Sequence, residues 1–287
     1  MLRFLLLFLS LCLTLAAAQP PAYPHSIVQH RVAPNGAESL CTPVARYTDA
    51  SGRTVDLVGA VHLADAAYYR NLNRAFKRYD FVLYEMVDGE GLPEQLRLAR
   101  KVKQGNATAE EKARFEAATA AEGKAGGAAG LLRSYYAMMS ETLRLRQQTE
   151  CIDYSLHNMV FADLSMQELR AAMAKRGESW LSLALQALRA DNSSVSSSLA
   201  FSPRALRREV IRALAASSHG APLQQSSIIV ARNERCFEVL DRCLASAPAA
   251  TRIAIFYGAM HLRDMHHRLI ARGFTLQGVQ WLTAIRG

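Results

Sequence analysis

Residues 258–264 of the chain, GAMHLRD, repeat residues 59–65, GAVHLAD, at five of seven positions. Each copy follows an apolar run and precedes a helix-like segment that leads into a second apolar run. These flanking segments are 55–58, 66–77 and 81–84 around the first copy, and 253–257, 265–271 and 274–282 around the second. Because the flanks agree as well as the heptapeptides, the sequence predicts two copies of a strand, a turn, a helix and a strand.

The residues shared by the two copies suit a turn at the end of a strand. Glycine lets the backbone turn sharply, and an aspartate three residues after the histidine is well placed to cap the next helix. This arrangement leaves His62 and His261 at the carboxyl ends of strands, the edge of an open α/β sheet where ligands bind. We therefore predict an α/β fold with a central mixed sheet, built from two pseudo-symmetric halves, and a site at the two histidines.

A glutamate follows the strand predicted over residues 81–84. That strand, FVLY, is apolar, so an unpaired carboxylate at Glu85 would be buried at a high cost in free energy. The side chain therefore needs a cation, a metal ion or a network of hydrogen bonds. Two roles stay open for Glu85: metal ligand or general base in a site, and partner in a structural ion pair.

These features together resemble the TraB/PrgY/GumN family. The resemblance rests on the two Gly-x-x-His motifs, on Glu85 after the first motif, and on Arg232 and Asn233 on a predicted helix before the second. The family includes the animal Tiki metalloproteases and is related to the erythromycin-esterase-like and ChaN-like folds. The resemblance spans residues 38–287, and the matching motifs lie towards the two ends of that range.

The resemblance implies a hydrolase that depends on a divalent metal, manganese or cobalt more than zinc. His62, His261 and Glu85 would be the ligands, a set that leaves positions open for water. Arg232 and Asn233 would hold the developing oxyanion or orient the ligands. The ion would lower the pKa of a bound water and polarise the scissile carbonyl of a peptide, another amide or an ester.

The first eighteen residues predict export. Arg3 precedes an apolar run over residues 4–15, and three alanines, residues 16–18, precede Gln19. This is the pattern of a cleaved secretory signal. An uncleaved anchor is the alternative, although the run is shorter than the ~20 residues that a membrane span needs. We expect a periplasmic or secreted protein with no transmembrane span after cleavage.

The chain carries a net charge of +9, from 34 basic and 25 acidic residues. The basic residues gather on predicted helices, over residues 97–103, 133–146 and 204–212. Solvated helix faces explain them, and attraction to an anionic envelope surface is the alternative. No nucleic-acid-binding motif accompanies them, so we expect a peptide or small-molecule substrate and no nucleic acid. The oligomeric state stays open.

One domain is predicted over residues 38–287, after an extended, mobile lead-in over residues 19–37. A helical insertion over about residues 92–220 is expected to form a cap over the sheet. Its helices, and one after it, are predicted over residues 92–103, 109–121, 131–148, 165–175, 204–216 and 226–244. Capping boxes are expected at Thr108 with Glu111 and at Ser165 with Glu168.

Three further residues are secondary candidates for the site: Asp153, His157 and His266. The first two belong to a mixed polar and apolar stretch, residues 153–163, which reaches the site from the helical layer or serves capping and inter-helix hydrogen bonds. His266 lies on the helix after the second motif, where it either approaches the site or packs elsewhere.

Four cysteines remain after the predicted signal. Cys236 and Cys243 lie seven residues apart on one predicted helix, ~10 Å from each other, which is too far for a disulfide between them. A disulfide from Cys41 or Cys151 to that helix and free, buried thiols both stay open.

Two functions of different classes follow from this sequence, beside a third interpretation in which the chain is an exported scaffold and its histidines are structural. One is an exported metal-dependent hydrolase of the TraB/GumN/Tiki type. The other is a non-catalytic envelope protein that uses the same histidines to bind a peptide signal or a porphyrin-like ligand. A GxSxG elbow and an HExxH helix do not occur in the sequence, so it does not support a serine hydrolase or a zincin.

Overall fold

A seven-stranded mixed sheet with helices around it forms the centre of the molecule, so the α/β class is confirmed. The computed structural model describes residue 23 and residues 26–122, 128–179, 182, 202–217, 224–247 and 252–287. The predicted export signal lies outside the described residues.

The strands and helices follow the order below along the chain. The strands are β1 (Gln29–Val32), β2 (Glu38–Thr48), β3 (Thr54–Ala60), β4 (Leu63–Ala64), β5 (Phe81–Tyr84), β6 (Arg146–Gln147), β7 (Met159–Phe161), β8 (Arg252–Gly258) and β9 (Thr275–Arg286). The helices are α1 (Ala66–Phe76), α2 (Leu92–Lys103), α3 (Ala109–Glu122), α4 (Ala128–Leu143), α5 (Gln148–Cys151), α6 (Met166–Lys175), α7 (Pro203–Ser217), α8 (Val230–Ser246) and α9 (Leu262–Ala271). A short 3-10 helix, Ala259–His261, precedes α9.

The sheet has the strand order β9, β2, β3, β8, β5, β7, and β1 pairs with the beginning of β2. β3, β8, β5 and β7 are parallel, whereas β2 runs antiparallel to β3 and to β9. Strand β9 therefore points the same way as β8. Both predicted units, β3–α1–β5 and β8–α9–β9, thus connect strands of the same direction through a helix.

The two copies of the heptapeptide follow neighbouring strands. β3 and β8 pair in a register that sets Ala60 opposite Gly258 and Gly59 opposite Tyr257. The copies are therefore side by side but offset by one residue. This pairing brings the two histidine-bearing segments to the same edge of the sheet.

The central strands are buried on both faces. Val82 and Phe256 face one apolar cluster, with α1, and Leu83 and Ile255 face another, with α8 and α9. Parallel strands covered by helices on both sides have such continuous apolar sequences. Phe256 packs against Phe76 of α1 with the ring centres 5.0 Å apart.

The glycines of the heptapeptides lie where neighbouring side chains leave little space for a Cβ atom. A Cβ atom at Gly59 would stand 3.1 Å from Cδ of Pro43, and one at Gly258 would stand 3.2 Å from Oε2 of Glu85. Gly258 has φ −52° and ψ 138°, which any residue adopts. The prediction that glycine serves a sharp turn is therefore wrong for Gly258, where close approach of a side chain is the reason.

Neither aspartate of the heptapeptides caps its helix through its side chain, contrary to prediction. Asp65 is at the N-cap of α1 but makes no capping hydrogen bond; its carboxylate accepts from Arg207 and from the backbone N–H of Arg286. Asp264 lies inside α9, because that helix starts at Leu262, directly after the 3-10 helix.

Two segments enter the sheet where the sequence predicted none. β1 lies within the predicted mobile lead-in, and Ile27 and Val28 just before it are buried. β7 interrupts the predicted helical insertion and pairs with β5. A three-residue apolar run, Met159–Phe161, is too short to give a clear periodicity, which is why this strand was missed.

Both predicted capping boxes are confirmed. Side-chain and backbone groups complete both capping boxes. The four cysteines that the structure describes are free, and three of them are buried. Within the described residues, no helix combines the length and the apolar character that crossing a membrane demands.

We expect Phe256→Ala to lower the free energy of unfolding by about 3–5 kcal/mol, because it leaves a cavity between β8 and α1. Val32→Ala is the control, since Val32 of β1 is 62% exposed and its replacement should change stability by less than about 0.5 kcal/mol. Denaturant unfolding measures both. Equal losses in the two variants would show that the β8–α1 contact is not a centre of the core.

Candidate functional site

A cavity of about 460 Å³ opens at the carboxyl ends of β3, β5 and β8. Four of the five principal residues predicted for the site line this cavity: His62, Glu85, Arg232 and His261. We call these four residues the polar quartet. The first and the last of them, His62 and His261, are 199 residues apart in the sequence, and the sheet brings their segments together.

Arg232, in the first turn of α8, is the most heavily bonded member of the quartet. Its Nε donates to Oδ1 of Asp163 at 2.9 Å, and its Nη2 donates to Oδ2 of Asp163 and to Oε1 of Glu85, each at 2.6 Å. Burial raises the pKa of the Asp163 carboxyl, an effect that Arg232 opposes. One guanidinium thus joins α8 to the residues that follow β5 and β7.

Glu85 is held on both oxygens. Oε1 accepts from Arg232, and Oε2 accepts from the backbone N–H of Gly258 at 2.5 Å. Burial would raise the pKa of this carboxyl, but the charge of Arg232 and the nearby His261 and His62 lower it to about 2. Glu85 is therefore an anion near neutral pH and a weak base, since an effective general base has a pKa near the working pH.

His261 is fixed in one tautomer by the residues behind it. Nδ2 of Asn233 donates to Oδ2 of Asp264 at 2.8 Å, so Oδ1 of Asn233 faces Nδ1 of His261, at 2.6 Å. Because that oxygen can only accept, Nδ1 of His261 carries the proton. Nε2 then has a free lone pair, and it lies 3.6 Å from Oε1 of Glu85.

The environment also keeps His261 uncharged. Burial lowers the pKa of its imidazole to about 4, although the Glu85 carboxylate acts in the opposite direction. A neutral imidazole is the form that binds a metal ion. The histidine is thus prepared as a ligand or hydrogen-bond acceptor.

His62 stands at the mouth of the cavity and is exposed. Its ring lies edge-on to that of Tyr136 on α4, with the centres 5.8 Å apart. Its backbone oxygen accepts from the N–H of Gln148 at 2.9 Å, next to the small β4–β6 sheet. The two histidines of the repeat therefore differ, one being buried and the other open to solvent.

The donor atoms of Glu85 and His261 suit a divalent ion. Two ligand atoms ~2.1 Å from one ion at a tetrahedral angle are ~3.4 Å apart, close to the 3.6 Å between Nε2 of His261 and Oε1 of Glu85. No group of three His, Cys, Asp or Glu side chains is already assembled for a metal among the described residues. His62, from the same cavity, would have to complete the set.

The remaining predicted residues lie away from the cavity. Asn233 is fully buried behind His261, so an orienting role fits its contacts and an oxyanion role does not. Asp153 bonds to Ser155 and Arg100, and His157 is exposed on the surface. His266 is buried against Tyr47, with Nδ1 2.9 Å from its hydroxyl, in the cluster on the other face of the sheet.

Asp163 and Asp264 are site residues outside the principal candidates. Asp163 ends the stretch 153–163, for which the sequence left a position at the site open, and it follows the apolar residues of β7 as Glu85 follows β5. Asp264 is part of the second heptapeptide, but its contact with Asn233 depends on how α9 packs against α8.

Comparisons with models of protein families, with curated proteins and with solved structures find no match for the chain. The geometry of the polar quartet and its cavity therefore carries the functional argument.

The pKa of His261 predicts a pH dependence of stability. Its ordinary value is 6.5 and its value in the folded protein is about 4, so unfolding takes up a proton between these pH values. Stability from this source is complete above pH 6.5 and is lost as the pH falls. In the presence of EDTA we expect a loss of about 3 kcal/mol between pH 7 and pH 4, at ~1.4 kcal/mol per pKa unit.

The His261→Asn variant is the control for this prediction, because its amide can replace the Nδ1–H donor but does not titrate. Denaturant unfolding at several pH values compares the two proteins. If wild type and variant lose stability equally on acidification, His261 is not the buried neutral group described above.

Proposed function

We propose that this chain is an exported, metal-dependent hydrolase of the TraB/PrgY/GumN type that cleaves an amide or ester bond. The observation that carries the proposal is the meeting of His62, Glu85, Arg232 and His261 along one cavity at the carboxyl edge of the sheet. These residues come from both copies of the heptapeptide and from the two other motifs of the resemblance.

The proposed metal ligands are His62, His261 and Glu85, with manganese or cobalt preferred to zinc. Bound there, a divalent ion would supply Lewis acidity to the scissile carbonyl and lower the pKa of water. The shared cation supports this assignment: Glu85 and Asp163 both pair with the guanidinium of Arg232, and burial raises the pKa of Asp163. A second cation at the site would stabilise the ionised form of both carboxylates.

Two further side chains have roles in the proposed site, one in orienting His261 and one in stabilising the oxyanion. Asn233, itself held by Asp264, keeps the lone pair of His261 on Nε2, as outer hydrogen bonds do for metal-binding histidines. Nη1 of Arg232 donates no hydrogen bond within the part of the chain that the structure describes, and in this proposal it donates to the oxyanion that develops from the carbonyl. The salt bridges to Glu85 and Asp163 fix the guanidinium for that purpose.

A non-catalytic binding protein is the second candidate. It is favoured by the hydrogen bonds that already engage both oxygens of Glu85, because a carboxylate satisfied by protein groups needs no metal. In that case the quartet would anchor the polar end of a ligand and leave its bonds intact.

Glu85→Gln distinguishes the two candidates. With manganese or cobalt present, we expect this variant to lose more than about 100-fold in kcat/KM on ester or peptide reporter substrates. That loss is larger than the one expected when a hydrogen bond to a metal ligand is removed. Glu238→Gln on α8 is the matched control, since Glu238 is 61% exposed, and it should keep full activity. Turnover is followed by release of the chromophore.

Two results would contradict the hydrolase. One is a Glu85→Gln variant with the turnover of the wild type. The other is a wild type that binds reporter substrates but cleaves none of them with manganese, cobalt or zinc, which would favour the binding protein.

A further inference from the structure

We propose that the cavity binds the aliphatic acyl chain of a neutral ester or amide, with the acyl carbonyl at the polar quartet and the chain along the wall formed by α4 and α7. The ester or amide group in this inference rests on the proposed function. The binding of an aliphatic chain rests on the cavity alone.

The wall is aliphatic. Of the twenty-one lining residues that the structure describes, fifteen are Ala, Val, Leu, Ile or Met. They include Met139 and Leu143 of α4, and Val210 and Leu214 of α7. Such a surface gains free energy from the burial of hydrocarbon and offers no charge to a ligand.

Polar groups are confined to one region of the cavity. The quartet and Gly258 lie at the sheet edge, and the only other polar side chain in the lining described here is that of Tyr136. The cavity thus has a polar end and an apolar body. A ligand that matches it has one polar group attached to one hydrocarbon chain.

A peptide does not match the apolar body of the cavity. Each peptide unit brings an N–H and a C=O that need partners when buried, and an unpaired buried polar group is costly. Among the lining residues that the structure describes, the one side chain of α4 or α7 with a hydrogen-bonding group is that of Tyr136, which lies beside His62. A peptide substrate would have to keep its backbone outside and insert a single aliphatic side chain.

The volume favours a chain of limited length. Binding sites for small molecules have volumes of about 300–1,000 Å³, and this cavity, at about 460 Å³, lies in the lower part of that range. Leu145 and Ile285 of the lining are buried, whereas Leu214 is 38% exposed. The volume therefore limits the length of the chain that the cavity can enclose.

The test uses a series of N-methylalkanamides from two to twelve carbons, neutral amides that carry one carbonyl and one chain. Calorimetry or competition with a fluorescent alkyl probe measures their binding to the full chain in EDTA. We expect the affinity to rise roughly three- to fourfold per added CH₂ until the chain fills the cavity, and then to level off.

Met139 and Met138 provide a matched pair of variants. Both are on α4, but Met139 lines the cavity whereas Met138 is 55% exposed and does not. Met139→Phe should move the plateau to shorter chains and Met139→Ala to longer ones, while Met138→Phe should leave it unchanged. The opposite shifts of the two Met139 variants rule out a general loss of folding as the cause.

The outcomes separate this inference from the proposed hydrolase. Affinity independent of chain length, or equal effects of Met138→Phe and Met139→Phe, would overturn the acyl site. Binding with the expected length dependence, but with no cleavage of the corresponding p-nitrophenyl esters, would keep the acyl site and reject the hydrolase. Cleavage of esters without length dependence would do the reverse.

Discussion

The parallel pairing of β3 with β8 determines where the candidate site lies. It sets two segments that are far apart in the sequence at one edge of the sheet, with Ala60 opposite Gly258. Because β5 pairs with the other side of β8, Glu85 arrives at the same edge. The two histidines are not equivalent, because the segment after β8 forms a 3-10 helix that contains the buried His261, whereas the exposed His62 lies between β3 and β4.

Arg232 adds an electrostatic connection at the same edge of the sheet. Its guanidinium connects α8 with the residues after β5 and β7, and it lets two carboxylates lie in a poorly solvated place. The same contact, against the effect of burial, helps to hold the pKa of Glu85 near 2. Removal of one partner of such a buried pair is strongly destabilising, so Arg232 has a structural task whatever chemistry the site performs. Its place in the cavity lining gives it access to a ligand as well.

Much of the fold follows from the sequence because the strands and helices have clear periodicities. The flanks of the two heptapeptides predicted β3, α1 and β5, and then β8, α9 and β9, and the apolar strand before Glu85 predicted a buried carboxylate that needs a partner. The sequence did not show that Glu85 and Asp163 share Arg232 as their partner. Asp163 follows a three-residue strand, and these residues meet only in the folded chain. The orientation of Asn233 towards His261, and the faces that α4 and α7 present to the cavity, likewise depend on packing between distant segments.

In the proposed site, the two histidines of the repeated motif act on one ligand together with Glu85. Calorimetric titration of Mn²⁺ into residues 19–287 measures this, with the wild type, His62→Ala, His261→Ala and the double variant compared at equal helicity. We expect one ion per chain for the wild type and a loss of more than about 100-fold in affinity for each single variant, which is more than the loss of a hydrogen bond to a metal ligand causes. We also expect the double variant to be little weaker than either single one, since the effects of coupled residues are not additive. A wild type that binds no ion, or a His62→Ala variant that binds as tightly as the wild type, would contradict the proposed site.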